Sequence, residues 1–254
     1  MGQRITLILL TLLFIKPLCA AEVITINVGV TVFKPYSSID ESTGQCVGSG
    51  FDITKKLLKP YNIEVNASCS APARVYRSLS SGTVDLSLNI KSTLALQDKV
   101  TFTTIPFDAL VLNFYSNPDV SSMNNKIAAI RGYDYNGFKD TLIQKGFEFV
   151  DVANAEDAIR LFANKRTKYL LSYEGPFNGY IDNEKGETEL LTLNNAQSEL
   201  LVSIPTYYAI SKASPHHALL VKVFKQLEKK AQGQHYYINA FKGLKASTEA
   251  STNR

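Results

Sequence analysis

Cysteine, histidine and long apolar stretches are scarce in this chain, and each scarcity removes a class of function. Three scattered histidines and three cysteines in 254 residues do not make the four-ligand spacing of a zinc site. His216 and His217 are adjacent and so point to different faces of a helix. No metal and no cofactor is expected. Basic runs are absent, and a net charge of +4 does not mark nucleic acid as a partner. Nucleophile–base pairs, phosphate-cradling glycine loops, internal repeats and heptads are missing as well. The one long apolar run, residues 5–15, is shorter than the roughly 20 residues of a membrane span.

That run has another use. Arg4 precedes it and Cys19-Ala20-Ala21 follows, the charged, apolar and small-residue order of a cleaved signal peptide over residues 1–21. Lys16 stands where a lipoprotein signal needs leucine, so no lipid anchor is expected. Cleavage after Ala20 or Ala21 removes Arg4 and Lys16 and no acid, leaving 25 basic against 23 acidic residues. The expectation is an exported periplasmic monomer that is not membrane-embedded. Cys46 and Cys69 are then the remaining cysteines. In an oxidising compartment an even pair suggests a disulfide, the alternative being two thiols that never meet. A bond would close a loop of about 23 residues, contributing roughly 3 kcal/mol in the chain-entropy picture.

What is present is ordinary globular material, 45% hydrophobic and 20% charged, enough for one large domain or two small ones. The chain is organised around residues 74–107. Ser70 is placed to cap a helix that Pro72 opens, with Val75, Tyr76 and Leu79 on one flank and Gly82 as its stop. Val84, Leu86, Leu88 and Ile90 alternate with Asp85, Ser87 and Asn89, the pattern of a strand with one apolar face. A polar loop, residues 91–99, opens at its carboxyl end, where ligands bind in open α/β sheets. Before this stretch lie a β-branched strand over 23–32, an aromatic turn Phe33-Lys34-Pro35-Tyr36-Ser37, a helix over 51–58 and a strand from Ile63 towards Cys69. After it, Asn117-Pro118-Asp119 breaks the pattern and a second βα series begins. That series has strands over 126–130, 147–152 and 169–172, helices over 138–143 and 155–162, and a charged loop over 183–188. Residues 200–210 are apolar but interrupted by Pro205, as suits an edge or crossing strand. Ser214 and Pro215 open a last long helix. The expected division is residues 22–113 with 206–245 as one lobe, 114–205 as the other, and 246–254 as a disordered tail.

Pro35-Tyr36-Ser37, Gly48-Ser49-Gly50-Phe51-Asp52-Ile53, Gly82-Thr83-Val84-Asp85 and Lys99-Val100-Thr101-Phe102 with Pro106-Phe107 resemble the first lobe of family 3 extracellular solute-binding proteins. The resemblance implies an α/β, type II periplasmic-binding fold: two lobes, two hinge strands and a small polar ligand, amino-acid-like or another metabolite, held between them. It implies a transporter permease or a sensor protein as partner. In the family's amino-acid binders a Thr-x-x-Arg loop grips the ligand carboxylate. Here Thr93 matches the threonine, Leu96 falls in the arginine slot, and a neutral side chain cannot form that bidentate pair. The family's second-lobe aspartate corresponds to Glu174. Arg131-Gly132-Tyr133-Asp134-Tyr135 resembles a divergent branch that often lacks transporter partners.

Candidate ligand contacts follow from both lines of reasoning. Phe33 and Tyr36 are aromatics at a strand end; Asn89 and Ser92 are polar groups at the next, with turn capping as the alternative. Arg74 and Arg131 offer guanidinium groups in place of Leu96. Tyr133 and Tyr135 line the second lobe, and Glu174 supplies its charge. A pocket held by Tyr36 and Glu174 favours an amine or several hydroxyls. The same fold includes cyclohexadienyl dehydratase, so an enzyme in which Glu174 acts as acid or base is the alternative.

Overall fold

The computed structural model describes residues 23–33, 36–121, 123–183 and 186–241. The signal segment, Lys34, Pro35 and the 246–254 tail lie outside the described residues. The chain runs β1 (Ile24–Thr31), β2 (Ser38–Ile39), β3 (Cys46–Val47), α1 (Ser49–Leu58), β4 (Ile63–Ser70), α2 (Pro72–Ser81), β5 (Leu86–Ile90), β6 (Val100–Phe102) and β7 (Asp108–Ser116). It continues through β8 (Lys126–Ile130), α3 (Phe138–Gln144), β9 (Glu148–Val152), α4 (Ala155–Ala163), β10 (Tyr169–Tyr173), α5 (Glu174–Asn183), α6 (Glu187–Asn194), β11 (Gln197–Ser211), α7 (His217–Lys230) and α8 (Tyr237–Ala240).

A nine-stranded sheet in the order β4-β1-β5-β11-β7-β10-β8-β9, with β6 beside β11, connects the two βα series. Each series is a parallel unit: β1 pairs with β4 and β5, and β8 with β9 and β10. Antiparallel β7 and β11 join them as two hinge strands. The first half of β11 lies along β7, while from Thr206 onward it pairs with β5 and β6. Pro205 therefore sits at the crossing itself. Thr206 turns its carbonyl to Phe107 N on the β7 side, so the neighbouring proline faces the β5 side one residue before that ladder begins. A missing N–H costs no ladder bond there.

One core combines the two ends of the chain: Ile26, Val28, Ile53, Leu57 and Leu86 pack against Tyr208, Leu220, Phe224 and Tyr237. The second βα series forms clusters around Leu112, Ile127, Leu171 and Ile204, and around Ile159, Phe162, Leu170 and Phe177. At about 1.5–3 kcal/mol for each fully buried large apolar side chain, these clusters outweigh the local propensities. No described helix is long and apolar enough to cross a membrane.

Several local expectations are corrected. Ser70 ends β4, paired with Thr31; Ala71 is the N-cap of α2 and makes no side-chain cap bond. The helix α7 begins at His217, and Ser214 Oγ accepts from His216 N. Residues 174–183 are helical, and α6 starts inside the expected charged loop. Glycine and proline at positions 175 and 176 disguise α5, yet a first helical turn needs no N–H at its proline. Both faces of β5 are covered: Asp85 just before it, and Ser87 and Asn89 within it, are buried along with Leu86. Asp85 accepts from Asn27 N at 2.7 Å and from the Ser214 hydroxyl, tying β1 to the segment before α7. Its motif partner Gly82 is left-handed and lies against the Ala213 carbonyl, 2.4 Å from where a Cβ would be.

Candidate functional site: an aromatic cleft between the lobes

The first wall is a tight loop after β1. Phe33 N donates to Ser37 O at 3.0 Å and Ser37 N to Phe33 O at 3.1 Å. The Ser37 hydroxyl donates to Thr31 O at 2.5 Å. Behind the loop, Gly48 has φ +151°, and a Cβ there would lie 2.1 Å from the Tyr36 carbonyl oxygen. Only glycine admits that approach. The β2–β3 hairpin follows the loop and is bound to β4 through the Cys46–Cys69 disulfide, with Cα atoms 5.2 Å apart. Phe33 and Tyr36 stack with ring centroids 6.0 Å apart.

The second wall comes from the carboxyl ends of β8 and β10. Tyr173 ends β10 with its ring buried, and Glu174 and Gly175 begin α5. An acid in the first turn of a helix is favoured by the helix dipole. Phe33 meets Tyr173 edge-on at 5.7 Å. Phe33 and Ile90 also pack against the cluster containing Tyr135, Tyr173 and Ile204. Across the gap, a Cβ built on Gly175 would fall 2.1 Å from the Tyr36 hydroxyl. The two walls are therefore in contact.

Electrostatics draw the same boundary. Burial pushes the Tyr36 phenol above its ordinary value, and the negative charges of Asp108 and Glu174 push it further. Burial raises Tyr133 too, with a contribution from Tyr76. The Tyr173 phenol is raised chiefly by burial, then by Tyr133, Asp134 and Tyr76. Tyr76 on α2 thus lies near both second-wall tyrosines. The cleft is lined by aromatic rings from both lobes, with one carboxylate at its rim and another at the start of a hinge strand.

The expected residues divide. Phe33, Tyr36, Tyr133 and Glu174 converge here. Tyr135 lies behind Tyr173 at 5.9 Å, only 1% exposed, with its hydroxyl accepting from Ile130 N at 2.7 Å. Asn89 Oδ1 accepts from Ile90 N and from the Thr93 hydroxyl, at 2.8 and 2.7 Å, which is turn capping. Ser92 is exposed. Arg74 is exposed in the first turn of α2, and Arg131 is exposed with its guanidinium donating to Asp151 O at 3.3 Å. Leu96 requires a correction. It does not face the cleft but is fully buried with Val75, Leu79, Val84, Val100 and Ala209. Position 96 is a core position because the 3-10 turn Leu94–Leu96 folds back onto α2.

Tyr76, Asp108, Tyr173 and Gly175 were not among the expected contacts. Tyr76 neighbours the core residue Val75, so its place beside the apolar stripe of α2 was the available signal. Tyr173 ends a strand whose alternation already runs toward the cleft. Nothing in the sequence marks Asp108, whose position depends on the crossing of β7 and β11. Among the described residues, no group of His, Cys, Asp and Glu could hold a metal ion. One surface recess, about 240 Å³ between Phe138, Leu142, Phe147 and Leu201, lies away from this cleft.

The chain matches no protein-family model and no curated protein. Solved structures resemble it over 79–85% of its length. A histidine kinase sensor domain with similarity to periplasmic binding proteins is 20% identical, with a TM-score of 0.64 over 85% of this chain and 93% of its own. An ancestral arginine-binding protein bound to arginine is 18% identical, with a TM-score of 0.64 over 85% and 96%. An ancestral amino acid-binding protein, a precursor of cyclohexadienyl dehydratase, is 19% identical, with a TM-score of 0.60 over 85% and 93%. At such identities the likeness is one of fold: two α/β lobes on two hinge strands, as in periplasmic binding proteins.

Proposed function

We propose that this chain, which has the two-lobed fold of periplasmic binding proteins, captures a small polar ligand carrying an amine between its lobes. It presents that ligand to a transporter permease or a sensor protein. The observation carrying this reading is the convergence of Phe33, Tyr36, Tyr76, Tyr133 and Tyr173 from both lobes near Asp108 and Glu174. Aromatic faces attract a cation by about 0.5–2 kcal/mol, and a carboxylate adds a charge-assisted hydrogen bond. Ligand binding shifts the lobes only as far as contacts differ between open and closed arrangements. The fold relatives named above include a sensor domain and an arginine-binding protein, which is why both partner types are retained. We place the protein outside the cytoplasm, where its disulfide persists. The dehydratase alternative needs a buried acid, and Glu174 is exposed at the rim.

A thermal-shift screen of polyamines, basic and neutral amino acids, organic acids and small sugars tests the reading. A compound present at 100 times its Kd stabilises by about 2.7 kcal/mol. Amines should lead the ranking. Glu174→Gln and Tyr133→Ala should each weaken the leading compound about tenfold, near 1.4 kcal/mol. Unchanged affinity in both variants would place the site elsewhere.

A further inference from the structure

We infer that Tyr36 is a built-in latch of this cleft, held against Gly175 of the opposite lobe and displaced when a ligand enters. The inference rests on the cleft being the ligand site, but its physical basis is a contact of the chain with itself.

Gly175 carries the argument. The three atoms nearest a Cβ at this position all belong to Tyr36: the hydroxyl oxygen at 2.1 Å, and Cε2 and Cζ at 2.3 Å each. Its backbone is not in the left-handed region, unlike seven other described glycines. Backbone geometry therefore does not require glycine at residue 175. In a helix, alanine is favoured over glycine by about 1 kcal/mol, so the missing side chain serves the close approach of the phenol.

The other half of the latch is stiff. The Tyr36 backbone is held by the paired Phe33–Ser37 hydrogen bonds, the Ser37–Thr31 bond and the close approach at Gly48. The ring projects from this base across to α5. Phe33 stacks beneath it and meets Tyr173 edge-on, giving a second aromatic contact between the same two walls. Only rotation of the Tyr36 side chain, or separation of the lobes, vacates the space over Gly175. Tyr36 remains 39% exposed as a residue, so it is not enclosed by the two walls. A ligand group reaching Gly175 must replace the phenol. Its apparent affinity falls by the fraction of molecules in which the latch is shut.

Spin labels at Glu64→Cys and Gln144→Cys, both exposed and one in each lobe, report lobe separation in buffer without added ligand, with the native disulfide left oxidised. The expected background is a single short-distance population, retained in Tyr36→Phe, which keeps the ring. Gly175→Ala and Tyr36→Ala should each shift most of the population to longer distances. Together they should open the protein no further than either alone, because both remove one interaction. Circular dichroism and melting curves confirm that each variant is folded. A long-distance population in the background protein, or distances unmoved by both single variants, overturns the latch. If the latch holds but no compound in the screen alters the distances or the melting temperature, the ligand-binding reading fails while the latch stands.

Discussion

Leu96 illustrates how far a single position can mislead. The motif resemblance puts it in a slot where amino-acid binders of the resembled family grip a carboxylate, yet the side chain is fully buried among Val75, Leu79 and Val100. Leu96→Arg should therefore not create a carboxylate grip. It buries a charge with no acid in that cluster, and unpaired burial is among the few single changes that cost several kcal/mol. The expected outcome is a drop in stability of more than about 3 kcal/mol by urea unfolding, with no gain of amino-acid binding. A stable variant that bound glutamate tightly would return position 96 to the cleft. Asp85 teaches the converse. It stands in a stretch that resembles a binding-protein motif, but its carboxylate is used internally, by Asn27 N and Ser214.

Among the elements, the β2–β3 hairpin matters most for the site. It is only two residues wide on each side, too small to be stable alone, and it follows directly on the Tyr36 loop. The Cys46–Cys69 bond spans 23 residues of sequence and limits the hairpin's freedom in the unfolded chain. Replacing both cysteines by alanine should cost roughly 3 kcal/mol. For a chain of this size, that lowers Tm by about 6–12 °C. Melting curves of oxidised, reduced and double-alanine protein check this, and mass spectrometry of exported protein should find no free thiol. Identical curves for all three would deny the bond a stabilising role. The hinge strands follow the opposite logic. Gln197–Ser211 is long and is paired on both sides only from Thr206 onward, so its proline is tolerated just before that doubly paired half begins.

On the scale of the whole molecule, the tyrosines set an alkaline limit. Burial raises the phenols of Tyr133, Tyr135, Tyr173, Tyr208 and Tyr237, and pushes Tyr115 up to about 12. A raised folded value means the folded chain keeps protons that the unfolded chain releases. Stability from this source is complete below about pH 10 and declines above it, by about 1.4 kcal/mol per pH unit for each tyrosine still protonated in the fold. Tyrosinate absorbance should therefore rise only in part near pH 10, the remainder appearing in one step with loss of circular dichroism. A single smooth titration near pH 10 with the fold intact would contradict the burial of these rings. Because those tyrosines belong to both lobes and to the cleft between them, the alkaline step should be common to the whole molecule.

The sequence by itself determined the two βα series, the terminal helix and the even count of cysteines that made a bond the expectation; that the two meet is shown by the structure. Periodicity, breakers and counting suffice for these, since each follows from a local pattern of apolar and polar residues. It also placed Phe33, Tyr36, Tyr133 and Glu174 at strand ends. Only the tertiary structure decided which of those ends face one another. Helix α5 was hidden by Gly175 and Pro176, although a proline in a first helical turn forfeits no hydrogen bond. The burial of Leu96, the internal use of Asp85 and Asn89, and the approach of Tyr36 to Gly175 join residues from 1 to 139 positions apart. No window of local sequence contains the longer of these contacts. They arise because two hinge strands join the two βα series in one sheet, and close packing then settles which side chain occupies each space.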